Sequence, residues 1–222
     1  MTQEKTLAAN HVTAPRAAAI AGIVFSFLLG TALLLLRLSV KVDPLKPETW
    51  LVVSPGRVAL ALSLVPFAGI AFLWFIGVLR DRLGALEDRF FATVFLGSGL
   101  LFLTMLFLGA AALGAIITVH GAGPQGLIHE TTFAFARALT SDIVNIYAIK
   151  MAAVFMIVTS TLAVRTGFTS RWLAFLGYGL SLPLLFGSRV LDWGFVVFPV
   201  WALLISLYIL LDNLRRPSGV AP

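Results

Sequence analysis

Six long apolar runs, following one another with little between them, restrict this chain more than any other feature. They are Ala17 to Leu36, Val58 to Leu79, Phe90 to Val119, Ile143 to Val164, Trp172 to Ser188 and Trp193 to Leu211, and charged residues, proline and glycine occupy the gaps. About 20 apolar residues in a helix cross the hydrocarbon core of a bilayer. Within that core every backbone N–H and C=O must be satisfied by the protein itself, so such segments become helices. Composition removes the soluble alternative: 59% of residues are hydrophobic, 12% are charged, and the mean hydropathy is +1.00. A soluble domain of this size needs a polar exterior that so few polar groups cannot cover. The expected fold is therefore all-α, a polytopic membrane protein built as a bundle of six transmembrane helices. One domain is expected over 17–211, with cytoplasmic tails at 1–16 and 212–222.

The runs differ in ways that predict their places. The third has about thirty residues, roughly 45 Å of helix, which exceeds a bilayer core and calls for tilt or projection. Gly97, Gly99, Gly109 and Gly114, with Ala110, Ala111 and Ala115, place small residues along it at helical spacing. Such residues let neighbouring helices approach closely, so this helix is expected at the centre of the bundle. Leu127 to Leu139 is mildly amphipathic and is expected to lie at the interface or to extend the fourth span outward. The Pro- and Gly-containing stretch Arg37 to Arg57 reads as a loop, with Trp50-Leu-Val-Val at the membrane interface. The first run is read as an uncleaved helix, because Arg37-Leu-Ser-Val-Lys41 stands where a small-residue cleavage site would be.

Six spans put both termini on one side. Nine Lys and Arg residues fall on that side and six on the other, which predicts cytoplasmic termini. Arg37, Lys41, Lys46 and Arg57, all on the opposite side, run against the rule. The second run carries Ser63-Leu-Val-Pro66-Phe-Ala-Gly69 and the fifth carries Ser181-Leu-Pro183-Leu-Leu-Phe-Gly187. Matched Pro/Gly interruptions of this kind are what an inverted repeat with a midplane site leaves in a sequence. Proline and glycine are also ordinary residues of membrane helices.

One ionisable residue lies inside a span. Lys150 is fifteen residues from Arg165, about 22 Å along the helix, which puts it in the outer half of the membrane. Asp142 and Asn145 precede it on the same helix, and Arg189 and Asp192 follow the fifth span at the same level. With His120 and Tyr147 nearby, these five residues form a candidate polar cluster. Its functional reading is an ion-linked site or a pocket for an anionic head group. Its structural reading is that Lys150 snorkels outward to pair with Asp142 or Asp192. At the opposite face, Arg80, Asp81, Arg82, Glu87, Asp88 and Arg89 make a charged turn, a candidate docking surface or simply a solvated, topology-fixing connection.

Other chemistries lack their residues. There is no cysteine. His120 and His129, even with Glu130, lack a third ligand in a defined geometry, and no intramembrane histidine pair could hold haem. Gly97-Ser98-Gly99 lacks the glycine spacing of a nucleophile elbow, and no two intramembrane aspartates could form a dyad. No cofactor and no metal are expected, and basic residues scattered at span ends do not form a nucleic-acid surface. No catalytic constellation supports an enzyme.

The segments Trp74-Phe-Ile-Gly-Val-Leu-Arg-Asp-Arg-Leu-Gly84 and Glu87-Asp-Arg-Phe-Phe-Ala-Thr-Val-Phe-Leu-Gly-Ser-Gly99 resemble an uncharacterised family of multi-pass integral membrane proteins of high-GC Gram-positive (actinobacterial) bacteria. The resemblance implies a bacterial plasma membrane. It carries no assigned activity and no functional residues.

The expected function is that of a small non-enzymatic membrane protein, either a component of a membrane assembly or a lipid binder. Its expected partners are membrane lipids and a membrane-protein partner or second copy of the chain. The alternative is a secondary transporter or ion-coupled carrier that uses Lys150, and a more distant one is an enzyme acting on lipid at the outer cluster.

Overall fold

The computed structural model describes residues 2–39, 55–83, 89–122, 130–167, 169–187 and 194–215. All of its regular elements are helices: α1 (Thr2–Ser39), α2 (Pro55–Leu83), α3 (Arg89–Ala122), α4 (Glu130–Asp142), a π segment (Ile143–Ala148), α5 (Ile149–Thr166), α6 (Arg171–Phe186) and α7 (Gly194–Arg215). Trp50-Leu-Val-Val lies outside the described residues. The all-α class holds. Five helices are long and apolar enough to cross a membrane, with spans Ala19–Ser39, Gly56–Gly77, Arg89–Val119, Ala134–Thr166 and Gly194–Arg215. The 16-residue α6 falls short of that length.

The residues expected to form an N-terminal tail belong to α1, which starts at Thr2. Glu4, Lys5, Leu7, Ala8 and Ala9 are good helix formers, and α1 continues through Pro15 although that residue removes one helix hydrogen bond. The amphipathic stretch before the fourth span extends it: α4, the π segment and α5 form one unbroken helical rod. Gly167 ends that rod at φ +68°, with its N–H on the Ala163 carbonyl at 3.0 Å. Glycine takes that left-handed geometry without a Cβ penalty. Ser170, in extended conformation, is the N-cap of α6.

The helices pack as a ring. α1 lies along α2 and α7, α2 meets α3, α3 meets α4, the π segment and α5, and α5 meets α6 and α7. Aromatic rings fill the middle. Phe72 of α2 has ring centroids of Phe25, Phe102, Phe155 and Phe198 within 4.7–5.8 Å, so five helices converge on one side chain. Trp201 is fully buried beside Phe198. The outer surface is apolar too: Phe27, Trp74, Phe175 and Phe186 are all more than 60% exposed. Large exposed apolar surface suits lipid contact and not water.

The expectation that α3 occupies the centre does not hold. Its span is 28% buried, the least of the five, whereas Ala134–Thr166 is 56% buried. The glycines explain the difference. A Cβ on Gly99 would meet Ile76 and Phe155, and one on Gly109 would meet Val144, but one on Gly97 would meet nothing. α3 thus uses selected glycines to admit neighbours on one side, and keeps the rest of its surface for lipid. The matched interruptions are also absent. α2 runs unbroken through Pro66 and Gly69, whereas α6 passes Pro183 and ends three residues later at Phe186.

Several buried hydroxyls are satisfied within their own helix. Ser26, Thr159 and Ser206 each donate to the carbonyl four residues back, at 2.7 Å. A hydroxyl pair crosses between helices, Thr161 with Tyr178 at 2.7 Å, tying α5 to α6.

Candidate functional site

The π segment is the local feature that shapes the site. The Ile149 N–H is directed to the Val144 carbonyl five residues back, where an α-helix would reach four. Such a turn inserts one residue and rotates the side chains on either side of it relative to each other. π turns are rare and recur at functional sites. Here Val144 presses against α3 at Gly109, where an added Cβ would lie 2.5 Å from its Cγ2. The missing side chain at 109 is what lets the widened turn sit so close to its neighbour.

Beside this contact lies a cavity of about 510 Å³, walled by α1, α2, α3, α4, the π segment and the start of α7. Its lining is divided. Arg37, Arg137, Thr140, Ser141 and Asn145 contribute the polar groups; Leu33, Leu62, Val65, Leu106, Leu113 and Ile116 contribute apolar wall. Arg37 holds its guanidinium over the Phe195 ring at 5.2 Å, a cation–π contact. The Asn145 amide donates to the Ser141 hydroxyl at 3.1 Å. Proline at 66 and at 199 removes the helix bond that would reach the carbonyls of Leu62 and Phe195, so two walls each lack one backbone bond at the level of the cavity.

The cavity continues inward as a narrow apolar void. The two share Leu33, Leu106, Val144 and Phe195, and the void adds Leu29, Phe102, Ala148 and Ala152. On α1, on α3 and along the π segment and α5 the added residues lie farther from the polar end: Leu29 is eight residues below Arg37, about 12 Å along the helix. Polarity therefore falls from cationic to purely apolar along one axis. A site of this volume, mostly apolar with a few placed polar groups, has the character of a small-molecule site.

The residues singled out from sequence are distributed unevenly around this site. Asn145 lines it. Asp142, the last residue of α4, is exposed and does not line it. Lys150 is half-buried in the first turn of α5, just past the π segment, and faces neither the cavity nor the void. Among the described residues no ion pair joins Lys150 to Asp142, because eight positions of helix separate them by roughly 12 Å. Tyr147 is exposed. Arg189 and Asp192 lie outside the described residues. Arg37 and Arg137, which sequence reading treated only as topology markers, are the cations at the site. Their signal was an arginine at an amphipathic helix outside any span, with Thr140, Ser141 and Asn145 spaced after it.

The charged turn sits at the other end of the bundle. Arg80 is exposed near the end of α2, Asp81 and Arg82 belong to its last turn, and exposed Arg89 opens α3. Glu87 and Asp88 lie outside the described residues. Arg165 at this same end rests over the Phe91 ring at 4.3 Å. No protein-family model matches the chain, and no curated protein or solved structure matches it.

Proposed function

We propose that this chain is a six-span integral membrane protein that holds a lipid in the cavity between α1, α3 and the α4–π segment. On this reading α6 is the remaining span, its short length offset by tilt of its neighbours or local thinning of the bilayer. The count of nine cations against six supports cytoplasmic termini, and the resemblance to actinobacterial membrane proteins supports a bacterial plasma membrane. The observation that carries the reading is the cavity itself, cationic at one end and apolar along its length, which matches an amphiphile.

The test fills the space. Ala110 is half-buried on the cavity wall, and Ala110→Phe places a ring there. Native mass spectrometry of the wild type, released from mild detergent, is expected to show retained lipid, and Ala110→Phe is expected to cut the lipid-bound fraction about tenfold, the equivalent of ~1.4 kcal/mol. A wild type that retains no lipid, or a variant that retains it equally, would sink the proposal.

A carrier driven through Lys150 is less well supported. Phe25, Phe72, Phe102, Phe155 and Phe198 fill the bundle centre, where a carrier needs a polar route. The lipid-holding reading makes Lys150 a snorkelling side chain, so Lys150→Met is expected to leave lipid retention unchanged. Thermal stability in the same detergent should stay within about 0.5 kcal/mol or rise slightly. Loss of lipid with intact folding would return Lys150 to a functional role.

A further inference from the structure

We infer that the one residue gained at the π turn builds the polar end of the lipid site: it turns Arg137, Thr140, Ser141 and Asn145 into the cavity, and Gly109 on α3 holds that register. This rests on the lipid-holding function proposed above and names the device that assembles its site.

An α-helix advances about 100° per residue. Along unbroken α-helix, Thr140 and Ile149 would stand about 180° apart, and Arg137 and Ile149 about 120° apart. The three nevertheless border one continuous space: Arg137 and Thr140 line the cavity, Ile149 lines the void, and Val144 borders both. The π segment reconciles these positions. A turn closed by a bond to the fifth residue back, as from Ile149 to Val144, takes up one residue more than an α turn. With that residue discounted, the two separations fall to about 80° and about 20°.

Register also decides what the polar edge is made of. α5 is held by its buried Ala152, Phe155 and Met156. Without the surplus residue, each residue of α4 would therefore take the place of its successor. Ala136 would stand where Arg137 does, Leu139 at Thr140, Thr140 at Ser141 and Val144 at Asn145. That edge would keep a single hydroxyl and otherwise become apolar. In the observed register Leu139 is instead turned outward, 45% exposed. Gly109 is the matching notch. Val144 enters it so closely that a Cβ at 109 would lie 2.5 Å from its Cγ2 and 3.9 Å from its Cβ.

That 3.9 Å separation falls within the roughly 3.5–4.5 Å between Cβ atoms that a disulfide needs, and the chain contains no cysteine of its own. Gly109→Cys/Val144→Cys is expected to close a disulfide on mild oxidation, read by mass as protection from maleimide. Deletion of Tyr147, an exposed residue that lines neither space, removes the surplus residue. In that background Gly109→Cys/Val144→Cys should no longer close, and Gly109→Cys/Ile143→Cys should.

For binding, full-length protein in mild detergent is incubated with equimolar phosphatidylglycerol and phosphatidylethanolamine, and total bound lipid is read by native mass spectrometry. The deletion is expected to cut the bound fraction about tenfold. Ala136→Arg/Leu139→Thr/Val144→Asn, added to the deletion, returns each polar group to its place and should restore binding. If the deletion variant does not fold, Thr140→Leu/Asn145→Val makes two of the same exchanges in the intact register and should also lower the bound fraction severalfold.

A Gly109→Cys/Val144→Cys pair that stays open in the intact chain overturns the inference and leaves the lipid-holding function standing. So does full binding by the deletion or by Thr140→Leu/Asn145→Val, or a loss that the polar triple substitution does not restore. An intact chain that binds neither lipid overturns the function and the inference together.

Discussion

Phe72→Ala is expected to destabilise the bundle by about 3 kcal/mol, more than any other single truncation. Phe72 is fully buried and its ring meets those of Phe25, Phe75, Phe102, Phe155 and Phe198. In a bilayer the loss is not one of hydrophobic transfer, since lipid is as apolar as the core. It comes from the void left behind, in which neighbouring rings lose dispersion contacts that lipid cannot enter to replace. Aromatic pairs add about 0.5–1.5 kcal/mol each beyond their area. Phe67 provides the control, because it lies on the same helix and is 61% exposed. Phe67→Ala should cost about 0.5 kcal/mol or less. Equal midpoints for the two variants, in thermal or denaturant unfolding from detergent, would contradict the central position of Phe72.

The second large effect separates two glycines that are neighbours in sequence. In Gly177-Tyr-Gly179, a Cβ on Gly177 would strike the Ser160 hydroxyl and lie 2.9 Å from Nε1 of Trp201, whereas one on Gly179 would meet nothing within 4 Å. Ser160 and Trp201 are both buried and cannot retreat: the indole lies stacked against Phe198, with ring centroids 6.1 Å apart. Their polar atoms, Oγ and Nε1, have no hydrogen-bond partner among the described residues, which indicates how far close packing sets the geometry at this junction. Gly177→Leu is expected to cost about 3 kcal/mol, the upper end for overpacking, by forcing α6 away from α5 and α7. α6 depends on this contact more than a longer helix would, because it is short and rests mainly on α5. Gly179→Leu faces lipid and should be neutral, or stabilise by about 0.5 kcal/mol through helix propensity. Unfolding midpoints of the two variants decide the matter, and equal shifts would refute the three-helix junction.

These pairs also mark how far the sequence could be read. Phe67 and Phe72, Gly177 and Gly179, Gly97 and Gly99 carry the same residue type in the same kind of run. Low amphipathicity is the reason. In a soluble helix the polar face reveals which side is buried, but here both lipid and core are apolar. The candidate site was partly legible for the same reason. Lys150 attracts attention as the one charge inside a span, yet it faces neither the cavity nor the void. Arg37 and Arg137 look like ordinary end-of-span cations, and only the packing of α4 against α3 brings them to one space. Asn145 was noticed for its neighbourhood to Lys150, and it reaches the cavity because the π turn rotates it there.

The sequence alone determined the helical class and the long apolar spans, because both follow from backbone hydrogen bonding in an apolar medium. The tertiary structure decided which helix is most buried, which glycines are contact points, and that α4, the π segment and α5 form one rod beside a cationic cavity. Those outcomes depend on the relative rotation of neighbouring helices. That rotation is fixed by the fit of particular side chains, such as Val144 at Gly109 and Trp201 at Gly177, and no periodicity in an all-apolar surface encodes it.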